Sequence, residues 1–316
     1  MYTVVSNQTQ SEWIQKWQRN RLALDEELDF DPVLRPIEHE GTALPSTIGQ
    51  KIVRTDTNDV LGIVKSRYTP KPYSALWEPL IDGLCASDLD LSGATATFRS
   101  VRGGAAMLAD ITLKNYNYDK IVGEPTALAL RVRNSVDGTT KYEVSARILR
   151  LACLNGMTRV SESTSARFMH TAGTDPERIG KVASEWPLAL EQDAHLFNHM
   201  RQVPVSVDTA QTFLAKNLCF TRTRTKVKTN EKWLNRMMAT HDSYRASIGD
   251  NGYAFYNTLT HYGTHVDTDS GRQTTDVGQR ALQQERNVTA LVRGPAFKNL
   301  VQYDVFERQY SSSLAV

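Results

Sequence analysis

The chain is short of cysteine, of long apolar runs and of net charge. Cys85, Cys153 and Cys219 are its only cysteines, widely spaced and in no CxxC pair, which argues against a disulfide framework or a zinc knuckle. No apolar stretch approaches the length of a membrane span, and the N-terminal MYTVVSNQTQSEW has neither the basic start nor the apolar segment of a secretory signal. A cytoplasmic protein is the expectation, and the sequons at Asn7 and Asn287 then carry no glycan. A net charge of +2 over 316 residues does not announce a nucleic-acid binder by itself. There is no Walker lysine loop, no GxGxxG after a strand and no GxSxG elbow, so nothing predicts a nucleotide or other cofactor.

What is present is segregated charge. LDEELDFD, Leu24 to Asp31, holds five acids, whereas Arg222, Arg224, Lys226, Lys228, Lys232 and Arg236 are offset by Glu231 alone. Within FTRTRTKVKTNEKW, Phe220 to Trp233, the cations alternate with threonine and valine. On a single extended strand Arg222, Arg224, Lys226 and Lys228 would share one face. Four like charges so close need water or an anion between them, so the stretch is expected to be an exposed hairpin arm or a disordered loop that orders on a polyanion.

Hydrophobic periodicity divides the chain into an arm over 1–47, an α+β core over 48–172 and a mostly helical region over 173–316 with a basic arm near 220–230. Two apolar runs around Thr57-Asn58-Asp59 predict a hairpin within Ile48 to Pro70, and Leu76, Trp77, Leu80, Ile81 and Leu84 predict a helix over Tyr73 to Cys85 despite Pro79. Strands are expected at Ala94–Val101, Ala105–Leu113, Leu128–Arg133 and Thr140–Val144, joined by Arg102-Gly103-Gly104 and SVDG turns. Ser145 to Leu154 has helical spacing with Asn155-Gly156 as its stop. Helices are expected at Pro176–Met200, Thr209–Leu218, Lys232–Ala246, Ala254–His265 and Thr275–Asn287. The fold class is thus α+β, an antiparallel sheet followed by helices.

Arg131 and Arg133 fall on one strand face, Arg99 and Lys114 on neighbouring strands, Lys141 at the next strand, and Arg147 and Arg150 one turn apart on the expected helix. Together they form a candidate groove in which cations track phosphates, while Phe98, Tyr116, Tyr118 and Tyr142 stack on unpaired bases. Surface arginines on strands and helix flanks give the plainer alternative. His195/His199 and His261/His265 are His-x3-His pairs, and Asp267 follows the second, so a metal-dependent enzyme centred on His261 and His265 is a rival reading; neither pair carries the glutamate of a zinc-protease helix. Cys153 has no flanking base and makes a poor nucleophile. A structural or host-interaction protein, its basic surfaces meeting acidic partners, is a third reading.

The run RVRNSVDGTTKYEVSARILRLACLNGM, with LGIVKSRYTPKPYSALWEPLIDGL upstream and AFYNTLTHYGTHVDT downstream, resembles the phage and plasmid protein family catalogued as domain of unknown function nine-three-two. Asn257, Thr260, Tyr262 and His265 match its N-A-V-T-E-Y-x-D-H signature, while His261 and Thr264 stand where the family has acids. The strand-strand-strand-helix core of that family is similar to that of single-strand annealing recombinases, among them Rad fifty-two and the phage Erf, Sak and Red beta proteins. The resemblance implies a homo-oligomeric ring or filament that binds single-stranded DNA, with RNA as the alternative, in phage or plasmid recombination in the host cytoplasm. Annealing by phosphate neutralisation needs no catalytic residue, no nucleotide hydrolysis and no metal. The groove would then be lined by Arg131 to Arg150, with the stretch at Arg222 as a second basic lip.

Overall fold

The computed structural model describes residues 20–151, 155–157, 165–168, 186–223, 226–265 and 277–314. These fall into two compact units, one drawn from 1–116, 127–146 and 164–187, the other from 117–126, 147–163 and 188–316. Among the described residues no helix is long and apolar enough to cross a membrane.

The first unit begins with packing where the sequence suggests a loose acidic arm. Asp25 caps a 3-10 turn at Glu26–Leu28, accepting from the Glu27 N–H at 2.9 Å, and Leu22, Leu28 and Phe30 are buried. The Trp77 indole N–H donates to the Leu22 carbonyl at 2.7 Å. Strand β1 (Pro32–Pro36) is followed by the two-residue strands β2 (Glu38–His39) and β3 (Thr42–Ala43), then by β4 (Gln50–Arg54) and β5 (Val60–Val64), and β1, β4 and β5 pair in the order β1-β4-β5. The β4–β5 turn is the expected one, with Asn58 at φ 62°, a conformation asparagine tolerates better than most residues. Helix α1 (Ser74–Cys85) buries the expected stripe of Leu76, Trp77, Leu80, Ile81 and Leu84.

Strands β6 (Thr95–Val101), β7 (Ala106–Leu113), β8 (Thr126–Ser135) and β9 (Tyr142–Arg150) follow as an antiparallel meander. Register sorts its two faces. Phe98, Ala109 and Val132 lie across from one another on one face, and Thr97, Asp110 and Arg131, with Arg99, Leu108 and Arg133 beside them, lie on the other. Phe98 meets Trp77 of α1 at 4.9 Å between rings, and the Tyr142 hydroxyl donates to the Leu76 carbonyl at 3.2 Å. The apolar face is therefore the one α1 covers. Gly138 in the β8–β9 turn has φ +73°, and a Cβ there would meet the Tyr68 ring at 3.0 Å, so glycine is required on both counts.

One expectation is overturned. Ser145 to Leu154 does not form a helix: β9 runs through to Arg150. Tyr142, Val144, Ala146 and Ile148 alternate into the core, each about as buried as a side chain can be, and tyrosine, valine and isoleucine favour a pleated backbone. Partners complete the ladder, since β11 (Ser165–Phe168) pairs with Tyr142–Ser145 and β10 (Asn155–Met157) with Ile148–Arg150. The helix that packs on this sheet thus precedes the strands in sequence.

The second unit is mostly helical. It contains the single turn α2 (Asp119–Val122), the greater part of α3 (Trp186–Gln202), α4 (Val207–Asn217), α5 (Glu231–Ile248), α6 (Gly252–Thr264), α7 (Val277–Arg293), α8 (Pro295–Leu300) and α9 (Tyr303–Leu314). Side chains cap three of them at their starts: Ser206, Asn230 and Asn251 accept from the N–H groups of Thr209, Trp233 and Ala254, the residue types that satisfy free helix donors. Every residue from Gly252 to Thr260 is buried, because α6 packs against α5, α7 and β10; a helix buried all round is a core helix. The Asn257 amide nitrogen and the Thr260 hydroxyl donate to the carbonyls of Tyr253 and Tyr256 at 2.9 and 3.1 Å. His195 and His199 lie on α3 and His261 on α6, whereas His265 is the extended C-cap of α6 and not part of the helix; residues 176–185 and 275–276 of the expected helices lie outside the described residues.

Candidate nucleic-acid interface

The cations singled out from sequence divide into those that face carboxylates and those that do not. In the first unit, Arg131 forms a two-pronged pair with Asp110, Nε to Oδ1 at 2.7 Å and Nη2 to Oδ2 at 2.6 Å. The register that sets Asp110 directly across from Arg131 makes this pair. Arg133 lies 3.9 Å from Glu143, both side chains being largely covered. Arg99, Lys114 and Lys141 are exposed, and none of the three has an ion pair among the described residues.

In the second unit, Arg147 and Arg150 are buried. Arg147 is 3.9 Å from Glu285, and Arg150 donates through Nε to Glu124 at 2.5 Å. Glu124 also accepts from the Tyr253 hydroxyl and lies 3.3 Å from Arg201. One largely covered carboxylate thus holds two arginines and a tyrosine. Burial, reinforced by the charge of Glu124, pushes the Tyr253 phenol well above its ordinary range and keeps it a donor. The four arginines expected to line a groove, Arg131, Arg133, Arg147 and Arg150, thus each lie beside a carboxylate. On a strand, residues three apart point to opposite faces, so Arg147 and Arg150 do not share one.

The aromatic residues expected to stack on bases are likewise committed elsewhere. Tyr118 and Tyr142 are buried, Phe98 packs on Trp77, and the Tyr116 hydroxyl accepts from the Asp90 N–H at 2.7 Å.

The basic stretch itself forms a ribbon. Strands β12 (Phe220–Arg222) and β13 (Val227–Thr229) pair with Phe220 across from Thr229, Thr221 from Lys228 and Arg222 from Val227. Thr223 closes the turn, its hydroxyl donating to the Lys226 carbonyl and accepting from the Lys226 N–H at 3.0 and 3.1 Å. Arg224 lies outside the described residues. Residues opposite one another in a ladder share a face, so Arg222 and Lys228 lie on opposite faces of the ribbon. The single cationic face expected of one extended strand is replaced by cations on both faces, because the turn shifts the parity of the returning strand. Thr221, Arg222, Thr223, Lys226, Val227 and Lys228 are all exposed. Arg222, Lys226 and Lys228 have no ion pair among the described residues.

Two further cations flank the ribbon, Lys216 in the last turn of α4 and Lys232 in the first turn of α5, both exposed. Glu231 opens α5, where the helix dipole favours an acid. Trp233 follows in the same turn and meets Tyr262 of α6 at 5.5 Å between rings. Trp233 closes the basic stretch in sequence, but nothing in the sequence links it to Tyr262; only the α5–α6 packing shows that Tyr262 sits beside it.

The histidine pairs are engaged by neighbours. His199 Nε2 is 3.2 Å from the Val301 carbonyl oxygen, and His195 lies against the Tyr310 ring. His261 Nδ1 is 3.0 Å from the Tyr244 hydroxyl, and its ring centroid is 4.3 Å from that of His265. Burial, then the neighbouring His265, lowers the His261 pKa to about 4. Asp267 and Cys153 lie outside the described residues, and among the described residues no three His, Cys, Asp or Glu side chains converge as a metal cage. Burial pushes the Cys219 thiol up to about 12, which makes it a poor nucleophile.

The family model Domain of unknown function (DUF932) matches residues 60–291 of the chain. No curated protein and no solved structure matches it.

Proposed function

The chain belongs to the DUF932 family, and from that premise we propose that it binds single-stranded DNA, and promotes its annealing, through the β12–β13 ribbon. The observation that carries this reading is the contrast in pairing: Arg222, Lys226 and Lys228 are exposed without carboxylate partners among the described residues, while Arg131, Arg133, Arg147 and Arg150 each lie beside a carboxylate. A phosphate backbone holds condensed cations, and their release when unpaired lysines and arginines neutralise the phosphates drives binding without reading sequence. A ribbon charged on both faces can meet a backbone on each side, which lowers the repulsion between two strands brought together for pairing. No bond is made or broken in this reading, so no catalytic group is required. Assembly into a ring or filament, as in the annealing recombinases, and a place in phage or plasmid recombination belong to the same proposal.

Fluorescence anisotropy with a labelled oligonucleotide tests binding, and the rate at which complementary strands pair with and without protein tests annealing. Salt-dependent binding and a faster pairing rate support the reading. Binding with no acceleration removes annealing and leaves a binding protein. Absence of binding at low salt removes the reading and favours an acidic protein partner for the ribbon.

A further inference from the structure

We infer that Trp233 and Tyr262 form a platform on which an unpaired base stacks, beside the ribbon that holds the backbone; the inference rests on the proposed reading of that ribbon. Three observations converge. Of the tryptophans among the described residues, Trp77 and Trp186 are 2% exposed and Trp77 hydrogen-bonds, whereas Trp233 is half-buried and its indole N–H has no partner among the described residues. Its position is fixed from both sides: Asn230 accepts from its backbone N–H at 3.1 Å, and Tyr262, also half-buried, lies against its ring at a tilt of 45°. Cations border it in sequence, since β13 with Lys228 ends one residue before the Asn230 cap and Lys232 precedes the indole.

A fixed aromatic face within a cationic border is the combination that recognises single strands, because the backbone supplies charge and each unpaired base offers a π-face. A duplex keeps its bases stacked on one another and can use only the cations. The platform therefore gives the ribbon its preference for unpaired strands. It also replaces the committed Phe98, Tyr116, Tyr118 and Tyr142 as the stacking group.

The test compares full-length protein on an oligothymidine and on an abasic strand of equal length, about fifteen nucleotides, where stacking on an aromatic side chain is worth roughly tenfold in affinity. The wild type should bind the oligothymidine about tenfold more tightly, with quenching of tryptophan fluorescence that Trp233→Phe reduces. Trp233→Ala should bind both strands alike at the affinity of the abasic one, with an unchanged dependence on salt. Tyr262→Ala should do the same in part, which covers the case in which Trp233→Ala fails to fold. Equal binding of both strands by the wild type, with a normal salt dependence, overturns the platform and leaves the ribbon standing. Binding of neither strand overturns both. Discrimination that survives both alanine variants overturns the platform as well.

Discussion

Arg131 on the sheet and Arg222 on the ribbon are the same residue type on the same kind of backbone, yet they do different work. Arg131 faces Asp110 across a fixed register, with Nε and Nη2 both donating to it and little of its side chain in water. Arg222 faces Val227, itself 61% exposed, and has no carboxylate within reach among the described residues. A paired, covered cation contributes to holding the fold, and removing its partner strands a charge. An unpaired, solvated one contributes little to the fold and is available to a ligand. The location of carboxylates, more than the location of cations, therefore separates cations that hold the fold from cations left open to a ligand.

The largest effect is expected at the paired extreme. Glu124→Ala leaves Arg150 and Arg201 without the carboxylate they share and takes the acceptor from Tyr253, and should cost about 3–5 kcal/mol. Urea denaturation measures it, and a loss below about 1 kcal/mol would place this cluster with ordinary surface pairs.

Acid should separate the two classes next. Fully buried His241, 3.0 Å from the Thr258 hydroxyl, has its pKa lowered to about 4 by burial and the nearby Arg245. Its unfolded value is about 6.5. Below that value the unfolded chain takes up a proton that the folded chain refuses, so stability is fully present above about pH 6.5 and falls as pH drops toward 4. Between pH 7 and 5 this amounts to about 2 kcal/mol. His241→Gln should flatten that pH dependence in denaturation curves; an unchanged pH dependence would assign it to other groups.

The Asp110–Arg131 pair is smaller still. A double-mutant cycle through Asp110→Ala and Arg131→Ala should return a coupling of about 1 kcal/mol in stability. Zero coupling would make Arg131 as available as Arg222, and the contrast would collapse from the sheet side.

The smallest effect on stability belongs to the ribbon. Replacing Arg222, Lys226 and Lys228 together by alanine should change it by no more than about 0.5 kcal/mol, as exposed substitutions do. A larger loss in thermal denaturation would mean that these side chains hold the fold.

Much of the fold was legible because its signals are local. Asn58 and Gly138 mark the turns they make, the stripe of Leu76, Trp77, Leu80, Ile81 and Leu84 marks α1 in spite of Pro79, and the starts of α4, α5 and α6 fall where serine and asparagine caps stand. The last part of β9 was illegible for a physical reason. Ala146 to Arg150 is buried at every position, so the alternation that betrays a half-exposed strand is missing, and a continuous covered run reads equally well as helix. The site was less legible than the fold. The sequence shows where cations are, but Glu124 and Glu285 reach Arg150 and Arg147 from distant parts of the chain. The sharing of one ribbon face by Arg222 and Lys228 fails on the parity of a turn, which only the register reveals.

The most direct test of the account is the salt dependence of single-strand affinity in the wild type and in the triple alanine variant of Arg222, Lys226 and Lys228. Each lost phosphate contact should lower the slope of log affinity against log salt by about 0.7 for a single strand, so the account predicts a slope shallower by about 2, with the melting temperature held. A variant that folds and keeps the wild-type slope would contradict it, and would return the search for the interface to Arg99, Lys114 and Lys141.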